Sequence, residues 1–245
     1  MSRKYKKKPK TREHLLSPDQ IKSVLATIKK PEEELVFKSL IYTGLRISEF
    51  IHLNRDWINF DRNLIRIPEK QRCDCMSCVY IRRKLKRRQD TIVEEEDSGD
   101  EDVNFRHSRR RRRKKKVLSD RQKIRLKGYW TPKTIASERT IPIVDEAQEV
   151  LYPYFKKHDS ILDVFPARQY INNILKRIEK RSKVKLFPHC LRGTFATMLA
   201  IKGFNPYEIT DTMGWSDINI AIFYIKLSGA GLKNAFELKW NREYD

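Results

Sequence analysis

Two arginines, a histidine and a late tyrosine stand out in this chain because together they can hold a phosphodiester and attack it. The stretch His189-Cys190-Leu191-Arg192 is followed downstream by Tyr224, and far upstream Arg46 sits in Thr43-Gly44-Leu45-Arg46-Ile47-Ser48-Glu49. A guanidinium is a planar fork that pairs with two phosphate oxygens at once and stays charged at any working pH. A tyrosine beside such a pair can form a phosphoryl-enzyme intermediate, which divides one hard displacement into two easier ones. His189, three residues before Arg192, falls on nearly the same face of a helix start. There its imidazole can hydrogen-bond a phosphate or move a proton.

The spacing and neighbours of these residues resemble the catalytic domain of the tyrosine recombinase (phage integrase) family. The resemblance implies that Arg46 and Arg192 clamp the scissile phosphate and that Tyr224, within Ala221-Ile222-Phe223-Tyr224-Ile225-Lys226, is the nucleophile. Tyr207 and Tyr244 are nearby rivals without the matching flanks. Thr131-Pro132-Lys133-Thr134, ahead of Ser137-Glu138-Arg139-Thr140-Ile141-Pro142, is similar to the hairpin that carries the family's general-acid lysine. Lys133 is therefore expected to protonate the leaving 5′ oxygen, the alternative being a plain phosphate contact. Met213-Gly214-Trp215-Ser216-Asp217 resembles the family's segment of leucine, glycine, then histidine or tryptophan. Trp215 takes the last place, where its indole N–H can donate to the phosphate; the other reading of this residue is core packing.

The reaction so implied is attack by Tyr224 on the phosphate, leaving a 3′-phosphotyrosyl link and a free 5′-hydroxyl. A second 5′-hydroxyl reverses the step, so catalysis needs neither metal nor nucleotide cofactor. The expected activity is site-specific DNA recombination by an integrase similar to those of archaeal viruses or mobile elements. Two alternatives stand beside it: type IB topoisomerase-like relaxation, and an inactive DNA-binding protein on the same fold.

Composition agrees with a nucleic-acid partner. The chain has 245 residues and a formal net charge of +21, which calls for a polyanion, double-stranded DNA foremost, since Lys and Arg neutralise phosphates and release condensed counterions. An apolar share of 39% is enough for a core. No apolar run approaches the ~18 residues of a membrane span, and the basic N-terminus lacks the apolar centre of a secretory signal. Four cysteines, three of them crowded together, are not a disulfide framework, which places the chain in a reducing interior, the cytoplasm at the nucleoid.

The elements that must position these residues read as an α+β fold, mainly helical, with a small antiparallel sheet. Residues 1–16 read as a flexible basic arm and 17–245 as the catalytic domain, interrupted at about 69–127 by a charged, Cys-containing insertion. Ser17, Pro18 and Gln20 have the order of a helix N-cap, first position and capping-box partner. Helices are expected after Pro31, over 47–53, and near 145–157, 168–180, 191–201, 206–213, 218–226 and 230–239, with strands at 64–67 and 139–143. The insertion fits neither pattern; it holds an acidic run at 94–102 and an unbroken basic block at 109–116, which reads as mobile without DNA. Its Cys73, Cys75 and Cys78 could hold a structural zinc with His107 as fourth ligand, or remain a set of reduced, metal-free thiols. Cys190 reads as a small buried side chain. The resemblance further implies a tetramer on DNA joined through residues 229–245, where Phe236, Leu238 and Trp240 would be costly to expose.

Overall fold

The first helix begins at the capping box read from the sequence. In the computed structural model, which describes residues 14–97 and 118–229, Ser17 Oγ accepts the Gln20 N–H at 3.2 Å and the Gln20 side chain accepts the Ser17 N–H at 2.9 Å. Pro18 opens α1 (Pro18–Ala26), where its missing N–H costs nothing. Residues 14–16, expected within the basic arm, are already tied down. The Leu16 N–H donates to Thr194 Oγ1 at 3.0 Å, and the Cys190 thiol donates to the His14 carbonyl at 2.7 Å. The arm before them, the basic block at 109–116 and the helix expected over 230–239 lie outside the described residues.

Helix α2 (Pro31–Thr43) is the hub of the larger of two compact units, which comprises residues 14–69 and 132–229 of those described. Val36, Phe37, Leu40 and Ile41 are fully buried, because α2 packs against α6 (Asp145–Phe155), α7 (Arg168–Ser182) and α8 (Pro188–Ile201). A helix surrounded on so many sides must be apolar nearly all round. Its one buried acid, Glu33, is neutralised by Arg181 of α7 at 2.5 Å, which an interior carboxylate requires. The helix stops at Gly44, whose φ of +61° is the left-handed cap that favours glycine. A Cβ there would lie 2.4 Å from Phe195 Cδ1. The turn delivers Arg46 to the N-terminus of the short α3 (Ile47–Phe50).

The sheet of this unit is β1 (Ile58–Asn59), β2 (Leu64–Ile67) and β5 (Arg139–Pro142), antiparallel in the order β1-β2-β5. Ile65 and Ile67 point inward while Arg66 between them is exposed, the period of two that the strand motif announces. Ile65 pairs with Ile141, so the chain leaves the sheet after β2 and returns beside it at β5. A second apolar cluster joins α8 to α9 (Pro206–Met213) and α10 (Ile218–Ser228) through Phe195, Leu199, Ile209, Met213 and Ala221, with Trp215 and Tyr224 packed against it. The architecture is thus mainly helical with a small antiparallel sheet, as expected. Among the described residues no helix is long and apolar enough to cross a membrane.

Of the described residues, 70–97 and 118–131 form the second compact unit. It holds a two-stranded pair, β3 (Gln71–Arg72) and β4 (Tyr129–Trp130), with α4 (Met76–Asp97) and α5 (Asp120–Leu126). The sequence reading found no element in this segment, and the 22-residue α4 is the main difference. Its charge conceals a short stripe: Leu85 is buried and Cys78, Ile81 and Arg82 are half-buried, at the spacing of one helical face. From 83 to 89 the positions around Leu85 are filled by Arg, Lys and Gln, which are strong helix formers.

Substituting Gly44→Ala should destabilise the fold by about 2–4 kcal/mol, from the left-handed backbone and the overlap with Phe195 together. Urea unfolding checks this, and an unchanged midpoint would show that the turn does not need glycine.

Candidate active site

The last turn of α9 gathers three arginines. Its backbone carbonyls have no partners within the helix, so they must be satisfied from outside. Arg139 Nε donates to the Thr212 carbonyl at 2.8 Å, Arg192 donates to that of Met213, and Arg46 donates to that of Gly214 at 2.9 Å. Arg192 also donates to the Gly44 carbonyl, so one side chain bonds the end of α2 and the end of α9. Gly214 has a φ of +59°, and a Cβ there would lie 2.8 Å from the Ala136 carbonyl. Glycine at this position therefore lets the turn close onto the segment before β5.

Glu49, one helical turn beyond Arg46, is the counter-charge. Fully buried, it accepts from Arg46 Nη1 at 2.7 Å and from Arg139 Nη2 at 3.0 Å, and its second oxygen also caps the Arg46 N–H at 2.9 Å. Burial alone would raise its pKa; Arg139, then Arg192 and Arg46, overcome this and hold it below the ordinary carboxylate value. Burial lowers the pKa of Arg192, and the charges of Arg46 and Arg139 lower it further, which a guanidinium tolerates without losing its proton. Three guanidinium groups against one carboxylate leave an excess of positive charge in a partly desolvated place, the condition for holding an anion. Neither Glu49 nor Arg139 was singled out from sequence, although Glu49 stands at i+3 from Arg46, a spacing that puts both on one face.

Ser137, buried, links Arg46 to the connector that follows Lys133. Its Oγ accepts from Arg46 Nη1 at 2.9 Å and from the Thr134 N–H at 3.3 Å. Lys133 itself is exposed, in the loop between β4 and β5. Its charge is felt at His189, the second residue of α8 after Pro188. Burial lowers the His189 pKa, and Arg192, Lys133, Arg46 and Arg168 lower it further, so the imidazole is neutral at pH 7.

Trp215 follows Gly214 directly and faces two of the expected residues. Its ring lies parallel to that of Tyr224, with centroids 5.4 Å apart and planes 12° apart. Arg192 Cζ sits 5.8 Å from the indole centroid, within cation–π range. Tyr224, midway along α10, is half-buried, and its phenol is electrostatically coupled to Arg192. The structure thus brings Arg46, His189, Arg192, Trp215 and Tyr224 together in the larger unit, with Lys133 near enough to influence His189.

The cysteine group belongs to the smaller unit. The sulfurs of Cys73, Cys75 and Cys78 lie within 4.8 Å of one another, on the approach to α4 and in its first turn. Zinc on three thiolates at about 2.3 Å needs sulfurs about 3.8 Å apart, so the donor set fits with little movement. Hydrogen bonds with Cys73 and Cys75, and burial, push the Cys78 thiol well above its ordinary value. His107, the fourth ligand expected from sequence, lies outside the described residues. Cys190 is a buried packing residue whose thiol burial pushes up to about 11.

Replacing Glu49 by Ala should cost about 3–5 kcal/mol, because two arginines with largely covered side chains lose their counter-charge. The pH dependence has a definite sign. A carboxylate with a depressed folded pKa stabilises the fold above its unfolded value, near 4.5, and that contribution fades as pH falls through the folded value. Urea midpoints of parent and Glu49→Gln should therefore differ at pH 7 and converge on acidification; a constant gap would contradict an ionised Glu49.

Residues 113–230 match the model of the phage integrase family. The tyrosine recombinase XerA of Saccharolobus solfataricus is 24% identical over 217 residues, covering 89% of this chain and 53% of its own. The transposase from transposon Tn916 of Enterococcus faecalis is 26% identical over 245 residues, covering 88% of this chain and 47% of its own. The chain thus spans about half the length of these curated relatives. Among solved structures, a XerA recombinase superposes with a TM-score of 0.56 at 16% identity, covering 94% of this chain and 66% of that one. The integrase of transposon Tn1549 in complex with a circular intermediate DNA gives 0.54 at 20% identity, covering 94% and 67%. The family match falls on the segment that carries Lys133, His189, Arg192, Trp215 and Tyr224, and over that segment the chain is similar to the phage integrase family.

Proposed function

We propose that this chain cleaves and rejoins double-stranded DNA at a specific site through a 3′-phosphotyrosyl intermediate. The observation that carries this reading is the ordered stack of Arg192, Trp215 and Tyr224, beside Arg46 on the same α9 turn. It sets a phenol next to two cations that can hold a nonbridging phosphate oxygen while charge builds on it. Tyr224 Oη attacks phosphorus, the bond to the 5′ oxygen breaks, and Lys133 gives that oxygen its proton. His189, neutral at pH 7, hydrogen-bonds the phosphate or takes the phenolic proton. Trp215 keeps the tyrosine ring in place and has an indole N–H to offer the phosphate. A 5′-hydroxyl from a second strand attacks the phosphotyrosine and restores Tyr224, so bond energy is conserved and no metal or nucleotide takes part.

The relatives named for transposons favour a mobile element as the source of the substrate sites. Work on paired sites calls for a tetramer on DNA, joined through residues 229–245, with DNA-associated action in the cytoplasm. The outer face of α10 supports an interface, since Ile220 and Leu227 are 38% and 44% exposed just before that segment. Structural zinc on Cys73, Cys75 and Cys78, completed by a fourth ligand, would fix the start of α4 against the β3–β4 pair, as a cross-link does in small cores.

Nicked suicide substrates carrying candidate attachment sequences, incubated without metal, should yield a protein–DNA adduct that survives denaturation. Tyr224→Phe should abolish it, and Arg46→Ala or Arg192→Ala should reduce it by about 100-fold or more. Duplex binding without any adduct from the parent would reject strand cleavage. For the metal, the purified chain should carry one zinc per molecule by elemental analysis and lose it in a Cys73→Ser, Cys75→Ser, Cys78→Ser variant; a metal-free parent after zinc dialysis would remove the metal from the account.

A further inference from the structure

The smaller unit carries chemistry that strand cleavage leaves unused. Over residues 70–90 and 118–131 there are twelve Lys and Arg against three Asp, and the acidic run of α4 begins only at Glu94. Helix α4 is therefore divided along its length into a basic and an acidic portion. It is also divided around its circumference: Leu85 marks the buried stripe, and Arg83, Lys84, Lys86 and Arg88 are all exposed around the rest. Two ion pairs in the unit engage Arg82 and Lys123, with Asp74 and Asp120. Among the described residues, Arg83, Lys84, Lys86 and Arg88 meet no carboxylate within ion-pair distance. Tyr80, 68% exposed, lies on the same outer surface and has a hydroxyl suited to a phosphate oxygen.

We infer that this outer face of α4 follows the phosphate backbone of duplex DNA as a sequence-independent grip. The inference rests on the DNA-cleavage reading above and adds a second contact surface to it. Dimensions and charge agree. The six residues from 83 to 88 rise about 9 Å. The same length of duplex carries about five phosphate charges, enough to face four cations. Four exposed like charges on two helical turns repel one another in the free protein. A polyanion relieves that repulsion and releases its own counterions. Arginine and lysine side chains on a helix exposed in this way give no base readout, so the grip adds affinity without choosing the site.

The test uses the full chain and a fluorescent duplex of arbitrary sequence, with binding followed by anisotropy over a salt series. The α4 variant carries Arg83→Ala, Lys84→Ala, Lys86→Ala and Arg88→Ala; alanine keeps the helix, which far-UV circular dichroism verifies. A control with Lys176→Ala, Lys180→Ala, Lys183→Ala and Lys185→Ala removes the same charge from the end of α7 and the loop after it. Expected is a slope of log K against log salt shallower by about 3–4 in the α4 variant, at about 0.9 per phosphate contact, and at least tenfold weaker binding near 0.1 M salt. A slope equal to the parent's, or a loss matched by the control, would overturn the grip and leave the cleavage reading standing. A parent that binds no duplex at all would reject both.

Discussion

Arg192 is a buried cation that donates to two backbone carbonyls, Gly44 at the end of α2 and Met213 at the end of α9. Taking a guanidinium out of water is unfavourable by several kcal/mol unless its N–H groups find acceptors and its charge finds an opposite one. Helix C-termini provide the first, since their last carbonyls lack partners and carry the negative end of the helix dipole. Glu49 provides the second. The arrangement is consequently constrained from several directions. Gly44 must be glycine for its carbonyl to turn toward Arg192 where Phe195 leaves no room for a Cβ, and Gly214 must be glycine for the α9 turn to close on Ala136.

The same cluster explains which parts of the site could be read from sequence. Arg46, Arg192 and Tyr224 announce themselves because phosphate chemistry needs these side chains in a particular order with particular neighbours. Their supports do not. Arg139 looks like an ordinary charged residue opening a strand, and its partner Glu49 is ninety positions away in sequence. Only the fold reveals that the Arg139 side chain is largely covered and bridges Glu49 to the Thr212 carbonyl. Ser137 is equally anonymous until its hydroxyl is seen between Arg46 and Thr134. Helix α4 was missed for another reason: its composition is so charged that a four-position stripe ending at Leu85 carries little weight against it. The capping box at Ser17 and the alternation in β2 were legible because each depends on neighbours a few residues apart.

The place where the chain departs from the sheet is physically inexpensive. Strands β2 and β5 are antiparallel neighbours, so a connector of any length can join Ile67 to Arg139 without changing their register. Closure entropy grows only with the logarithm of loop length, about 0.6 kcal/mol for each doubling. A segment with its own helices and strand pair recovers part of that through internal contacts. What the insertion must not disturb is the re-entry, and this is fixed by the site itself. Arg139, the first residue of β5, pairs with Ile67 in the sheet while its side chain binds Glu49 and the end of α9.

Tyr224 is positioned by packing more than by covalent proximity. Helix α10 meets α8 and α9 through Ala221, so the helix approaches closely at that small residue. One turn later the phenol ring meets Trp215, which in turn lies under Arg192. The indole therefore sets the separation between the phenol and the guanidinium. A smaller side chain would leave the tyrosine ring without a platform, and a histidine would provide less of one. A chain with tryptophan at this position gains stacking area and gives up a titratable group. In the proposed reaction, proton transfer is then left to His189 and Lys133, and the charge of Lys133 already lowers the His189 pKa.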